Sequence, residues 1–286
     1  MEDARKPDLN TDKNQMVVSN NYITAVHPEK MTINAMKLFR VAITQCRMSD
    51  KGFYEYSFAI KELSEMLGVD RSDIYRDTQD LCKNIMQMLL YVGDGNPRHQ
   101  WEYKHIFDKC RYDPKQEAVN IQLHKDMTAL FLELKRNFTE IPIDVLLTIK
   151  SKYAIRIYEV ICQKMMHHFP HASTSTEIML TPEEIRKATR TDSKKTYDLI
   201  GNLKNKVILP SLAEIERCAN WKIICTDVKR GRRIIGFNLQ IWSANGYAFM
   251  EQCKKEGRIP GAAGLEDTGI SGQVTIFDFD GIDPEE

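Results

Sequence analysis

Residues 192–216 read DSKKTYDLIGNLKNKVILPSLAEIE. Tyr197, Ile200, Leu203 and Val207 recur every three or four positions, so a helix here buries a single stripe. The opposite face carries Lys194, Lys195, Asn202, Lys204, Asn205 and Lys206, long polar side chains that reach phosphate oxygens or base edges. Asp192 or Ser193 offers a short side-chain oxygen to the first unpaired N–H groups and so predicts the helix start. Pro210 predicts that this helix ends near Ile208 and that PSLAEIE forms a separate supporting helix. Taken alone, the stretch reads first as an ordinary solvated amphipathic helix. Its surroundings decide between the two.

The chain has 286 residues, enough for two domains with separate cores, and its 42% apolar and 28% charged content suits a soluble globular protein. A net charge of zero conceals strong segregation. Residues 1–144 hold 20 Lys and Arg against 22 Asp and Glu; residues 145–260 hold 20 against 11; residues 261–286 hold none against seven. The quoted stretch therefore lies in a cationic segment, which suits a polyanion partner, followed by an acidic tail. No run of eighteen apolar residues exists to span a membrane, and the polar first fifteen residues are no secretory signal. Seven cysteines, an odd count with no CxxC pair, predict reduced thiols in a cytoplasm rather than disulfides or a zinc site.

Upstream of the quoted stretch, SKYAIRIYEVICQKMM predicts a helix burying Tyr153 or Ala154 with Ile157, Tyr158 and Ile161. A strand follows over 178–180, and Thr181 with Pro182 starts a helix over PEEIRKATR. Downstream, residues 221–228 and 233–242 predict two strands joined at Lys229-Arg230-Gly231-Arg232. Two helices, a turn and a hairpin make a winged helix. The first half repeats the order. Thr32 caps a long helix, residues 53–58 form a strand, and AIKELSEMLGV ends at Gly68. DIYRDTQDLCKNIMQM then buries Ile74, Thr78, Leu81 and Ile85, and extended segments follow, broken at residues 93–97 and 113–114. One more helix is expected over 126–135 and a connector over 138–146. The fold class is α+β, a tandem winged-helix protein with a pseudo-repeat. Its divisions are a disordered N-terminus (1–15), a first winged helix (16–140), a second (141–260) and a flexible acidic tail (261–286).

In a winged helix the second helix enters the major groove and the wing follows adjacent backbone. On that reading Lys194, Lys195, Asn202 and Lys206 lie along the groove, where Asn pairs with adenine and Lys donates to guanine or phosphate. Arg230, Arg232 and Arg233 crowd around Gly231 at the wing tip, where guanidinium groups reach phosphates; the plain alternative is a solubilising hairpin. In the first domain Arg71, Ser72 and Arg76 hold the corresponding positions, but Asp70, Asp73, Asp77 and Asp80 surround them. Phosphate-cradling, GxSxG and HExxH motifs are missing, so no enzyme, cofactor or metal is expected. His167, His168 and His171 cluster, but Pro170 breaks the helical spacing a metal would use.

VVSNNYITA, then FTEIPIDVLLTIKSKYAIRIYEVICQ, then TYDLIGNLKNKVILPSLAEI and a basic hairpin together resemble the initiator (Rep) proteins of theta-replicating, iteron-bearing plasmids, over residues 14–242. The resemblance implies double-stranded DNA as partner. A monomer would bind direct repeats at an origin, and a homodimer in equilibrium with it would bind an operator and repress the rep gene. It also implies that host initiator and helicase do the melting and loading. A winged-helix transcriptional repressor without initiator activity is the alternative. In the tail, Gln273, Ile276 and Phe277 resemble a sliding-clamp-binding peptide, in which a hydrogen-bonded Gln precedes two buried apolar side chains; a chance apolar patch is the plain alternative.

Overall fold

The computed structural model describes residues 15–25, 27–28, 31–47, 50–93, 98–132, 134, 136–165, 169–170 and 175–255. β1 (Gln15–Ser19) leads through a short α1 (Asn20–Thr24) into α2 (Ile33–Thr44), which Thr32 caps by accepting from the Ala35 N–H at 3.2 Å. β2 (Tyr56–Ala59), α3 (Ile60–Leu67) and α4 (Arg71–Met86) follow. Gly68 ends α3 at φ 64°, a left-handed conformation that a residue without Cβ adopts without strain. α4 buries Ile74, Thr78, Leu81 and Ile85, the four positions its periodicity selects. β3 (Leu89–Val92) and β4 (Glu102–His105) pair with each other, while β5 (Phe107–Asp113) and β6 (Ala118–Leu123) join β2 in the order β2-β6-β5. This hairpin is the first wing.

Two expectations for the middle of the chain change. Where a helix is expected over 126–135, the described residues form one 3-10 turn followed by a single α-turn, α5 (Thr128–Phe131). Residues 138–146 are no bare connector: β7 (Phe138–Pro142) pairs antiparallel with β1, with Met16 opposite Ile141, and α6 (Ile143–Thr148) follows. The reason is visible in the burial of Thr139 and Ile141 between half-buried neighbours, an alternation too short to stand out in the sequence.

α7 (Lys152–Met165) is buried continuously from Ala154 to Cys162, because both halves of the molecule pack against it. β8 (Thr176–Leu180) precedes α8 (Pro182–Thr189), whose start is a capping box: Thr181 accepts from the Glu184 N–H, and Glu184 accepts from the Thr181 N–H. α9 (Ile200–Leu203), a five-residue π-helical segment (Lys204–Ile208) and α10 (Leu209–Ala219) form one unbroken helix. β9 (Trp221–Arg230) and β10 (Arg233–Ser243) make the second wing in a sheet ordered β8-β10-β9, and α11 (Ala244–Lys255) closes the described chain. Two tandem α+β domains, each a helix-turn-helix with a hairpin wing, are therefore present.

A buried charge network joins them. Arg40 on α2 donates to Glu159 on α7 at 2.7 Å, and Arg156 donates to the other oxygen of the same carboxylate. Arg156 also donates to the Ile23 carbonyl at 2.6 Å and the Ala188 carbonyl at 3.2 Å. All seven cysteines are free thiols. Among the described residues no group of three His, Cys, Asp or Glu side chains is placed to hold a metal, and no helix is long and apolar enough to cross a membrane. His167, His168 and His171, the break at 94–97, residues 1–14 and the tail from 256 onward, with Gln273, Ile276 and Phe277, lie outside the described residues.

Candidate nucleic-acid interface

The second helix of this helix-turn-helix begins later than its sequence suggests. Asp192 accepts from the adjacent Ser193 N–H rather than capping a helix, Lys194 is extended, and residues 195–197 form a 3-10 turn. The helix starts only at Ile200. Arg186 is the cause. From the last turn of α8 it donates to the Tyr197 carbonyl at 3.0 and 3.1 Å and to the Asp198 carbonyl at 3.1 Å, taking acceptors that a helix would use. Asn202 completes this clamp by donating to the Thr196 carbonyl at 2.9 Å. Lys194 and Lys195 thus sit on the turn leading into the helix, not on it.

The other end also differs. Pro210 does not stop the helix. Its ring would meet the Lys206 carbonyl in a regular α-helix. The chain avoids this by widening: the Leu209 N–H reaches back five residues to the Lys204 carbonyl, and α10 continues beyond. Leu203 and Val207 are fully buried, with Tyr197 and Ile200 half-buried, so the stripe read from the sequence is the inner face.

The polar face divides into engaged and available groups. Lys204 pairs with Asp227 on β9 at 2.7 Å, which fastens the helix to the strand carrying the wing. Lys194 lies 6.0 Å from the centre of the Tyr153 ring, a cation–π distance, with its Nζ 3.5 Å from that hydroxyl. Asn202 is committed to the turn. Lys195, Asn205 and Lys206 are exposed and make no side-chain hydrogen bond or ion pair among the described residues. The sequence reading weighted Asn202; the amide left for a base edge is Asn205, a distinction that only the fold of the preceding turn makes. Arg186 escaped the sequence reading altogether, because its partners are backbone carbonyls and leave no pattern.

At the wing, Arg230 and Arg233 face each other across a two-residue turn of Gly231 and Arg232. Gly231 takes φ 63°, the first position of a hairpin turn that wants glycine there. All three arginines are exposed and without ion pairs among the described residues. Like charges held together on one tip repel one another until an anion arrives.

The first domain presents the opposite case. Arg71 pairs with Glu117 at 2.7 Å and stacks over Tyr75, and Arg76 pairs with Asp73 and Asp77, each at 2.9 Å. Ser72 gives both its hydroxyl and its N–H to Asp70, and these bonds hold the Asp70 carboxyl below its ordinary range. The helix neutralises itself. Such exposed pairs are screened by water and hold their partners weakly, so an incoming phosphate displaces a carboxylate at little cost, but they add no field to attract DNA.

Comparison with known proteins agrees with this architecture. The family model described as Initiator Replication protein, WH1, matches residues 15–162, and that described as Initiator Rep protein, WH2, matches residues 181–241. The crystal structure of the Pi initiator protein in complex with iteron DNA superposes with a TM-score of 0.61 at 14% identity, covering 80% of this chain and 97% of that one. Domains 2 and 3 of RctB align at a TM-score of 0.38 and 11% identity, over 74% of this chain and 81% of that one, too loosely to inform the fold. With more than half the chain matched by the first model and the second winged helix matched by the other, this protein belongs to the replication-initiator (Rep) family.

Proposed function

We propose that this chain is a plasmid replication initiator that binds direct repeats (iterons) at an origin as a monomer and represses its own gene as a dimer. The observation that carries the reading is the second domain's cationic surface. Lys195 and Lys206 flank the helix start, the wing tip bears Arg230, Arg232 and Arg233, and Lys204 with Asp227 fixes one to the other. The domain over 141–260 is the main DNA anchor, with Lys194 at the edge of the contact. The domain over 16–140 serves dimerisation and makes auxiliary contacts through Arg71, Ser72 and Arg76. The protein acts in the cytoplasm without a catalytic step, and host initiator and helicase open and load the origin. The tail peptide with Gln273, Ile276 and Phe277 docks on the host sliding clamp; capture of the clamp by the full chain that survives Ile276→Ala with Phe277→Ala would remove that part.

Footprinting on the DNA flanking the gene tests the central reading. Protection of direct repeats, lost in Lys195→Ala with Lys206→Ala, is the expected result. A dimer protecting one inverted repeat, in a protein that cannot sustain an origin plasmid, would make it a repressor instead.

A further inference from the structure

The junction of the two domains holds a cavity of about 300 Å³ that the DNA-binding surface does not explain. Among its lining residues are Lys152, Arg156, Arg190 and Lys194, and no carboxylate of the described residues lines it. Arg156 in the lining and Arg40 behind it share the single carboxylate of Glu159, which leaves a net positive charge in the interior. Buried cations are ordinarily matched one for one, because an unmatched one loses its hydration with nothing in return.

Arg190 gives the clearest sign of a missing partner. Its Nε is buried without a hydrogen bond, and its guanidinium makes no ion pair among the described residues. It also ends α8 in the left-handed conformation, at φ 56°. Where this chain needs only a helix stop it uses Gly68 and Asn220, residues that take that conformation readily. An arginine there serves its side chain. His27, also in the lining, donates from Nε2 to the Tyr22 carbonyl at 2.9 Å, so its Nδ1 is an acceptor, buried and unpaired. Lys152 and Tyr153, at the start of α7, border the same space, while the helix end itself is met by the Glu214 carboxylate, which accepts from the Lys150 and Ser151 N–H groups at 2.7 and 3.2 Å.

We infer that this cavity is a phosphate-binding site, with Arg190 and Lys152 as the charged donors. The phosphate has two conceivable sources, a free phosphate group or the backbone of a bound duplex. His27 Nδ1 leans toward the first, since a hydrogen phosphate carries the O–H that it accepts and a phosphodiester does not.

Arg190→Gln is the suitable variant, because this side chain makes no hydrogen bond or ion pair among the described residues and its loss is expected to leave thermal melting unchanged. Titration of inorganic phosphate into the full chain, followed by 31P line broadening or calorimetry, is expected to saturate. The variant is expected to bind roughly tenfold more weakly, the loss of one charge-assisted contact. Arg190→Lys is expected to recover part of it. In parallel, the salt dependence of affinity for a DNA duplex is measured for both proteins. A slope unchanged in Arg190→Gln assigns the site to free phosphate; a slope lower by about 0.9, with or without binding of the free ion, assigns it to the DNA backbone. Equal phosphate affinity in both proteins, or no saturable binding together with an unchanged slope, overturns the inference. The phosphate arm needs no DNA and stands even if the proposed origin binding fails.

Discussion

Two asparagines three residues apart separate scaffold from readout. Asn202 is spent on the Thr196 carbonyl, whereas Asn205 is exposed with its amide available. Asn205→Ala is therefore expected to leave melting unchanged and to weaken discrimination between repeat DNA and an unrelated duplex by about 1–3 kcal/mol, the worth of one bidentate base contact. Asn202→Ala is expected to lower stability by about 1 kcal/mol through its lost bond. Shift assays on both duplexes beside thermal melts check the pair; if Asn205→Ala reads sequence as well as wild type does, the amide faces no base. At the wing the expectation is different in kind. On the proposed reading Arg230, Arg232 and Arg233 contact phosphates, which carry no sequence information, so replacing them with Ala should weaken all duplexes alike. The slope of log affinity against log salt should fall by about 0.9 for each phosphate lost. A loss confined to repeat DNA would instead place these arginines on base edges.

Secondary-structure elements were legible wherever a side chain's own backbone decides the outcome. Gly68, Thr32, and Thr181 with Pro182 mark helix ends by local chemistry, and each stands where its residue type predicts. The helix over 200–219 was misjudged at both ends because its ends depend on distant groups. Arg186 removes acceptors from residues 197 and 198, and the π-turn absorbs Pro210. Neither leaves a periodic trace. Arg186 thereby becomes the test of how the turn presents Lys194 and Lys195. Arg186→Gln loses the bonds to the Tyr197 and Asp198 carbonyls while staying at the surface of α8. Its expected effect is faster hydrogen exchange over residues 192–199 and a roughly tenfold fall in DNA affinity, near the worth of a charged hydrogen bond. Faster exchange with undiminished affinity would mean that the turn need not be ordered before DNA binds.

The whole molecule is held by groups no sequence pattern connects. Arg40 and Glu159 lie 119 positions apart and both are fully buried, so only the packed junction reveals that they belong together. Glu159→Gln leaves two buried arginines without a countercharge and is expected to destabilise the protein by about 3–5 kcal/mol. Urea melts measure it. The same junction makes stability depend on pH through His27. Burial, and after it the repulsion of Arg156, Arg40 and Arg190, holds the ring well below its ordinary value of 6.5, so the native ring stays neutral. In the unfolded chain it takes up a proton as pH falls through about 6.5. The unfolded state then binds more protons than the native state, and stability drops by about 1.4 kcal/mol for each further pH unit until the native ring titrates too. Above 6.5 the ring is neutral in both states and contributes no slope. His27→Gln keeps a side-chain N–H for the Tyr22 carbonyl and removes the titration. The gap in unfolding free energy between wild type and His27→Gln should thus be constant from pH 7 to 8 and shift against wild type from pH 6.5 to 5.5. Parallel curves from pH 8 to 5.5 would show that the native ring takes up its proton as readily as the unfolded one, and that the cluster of arginines around it is neutralised by something else.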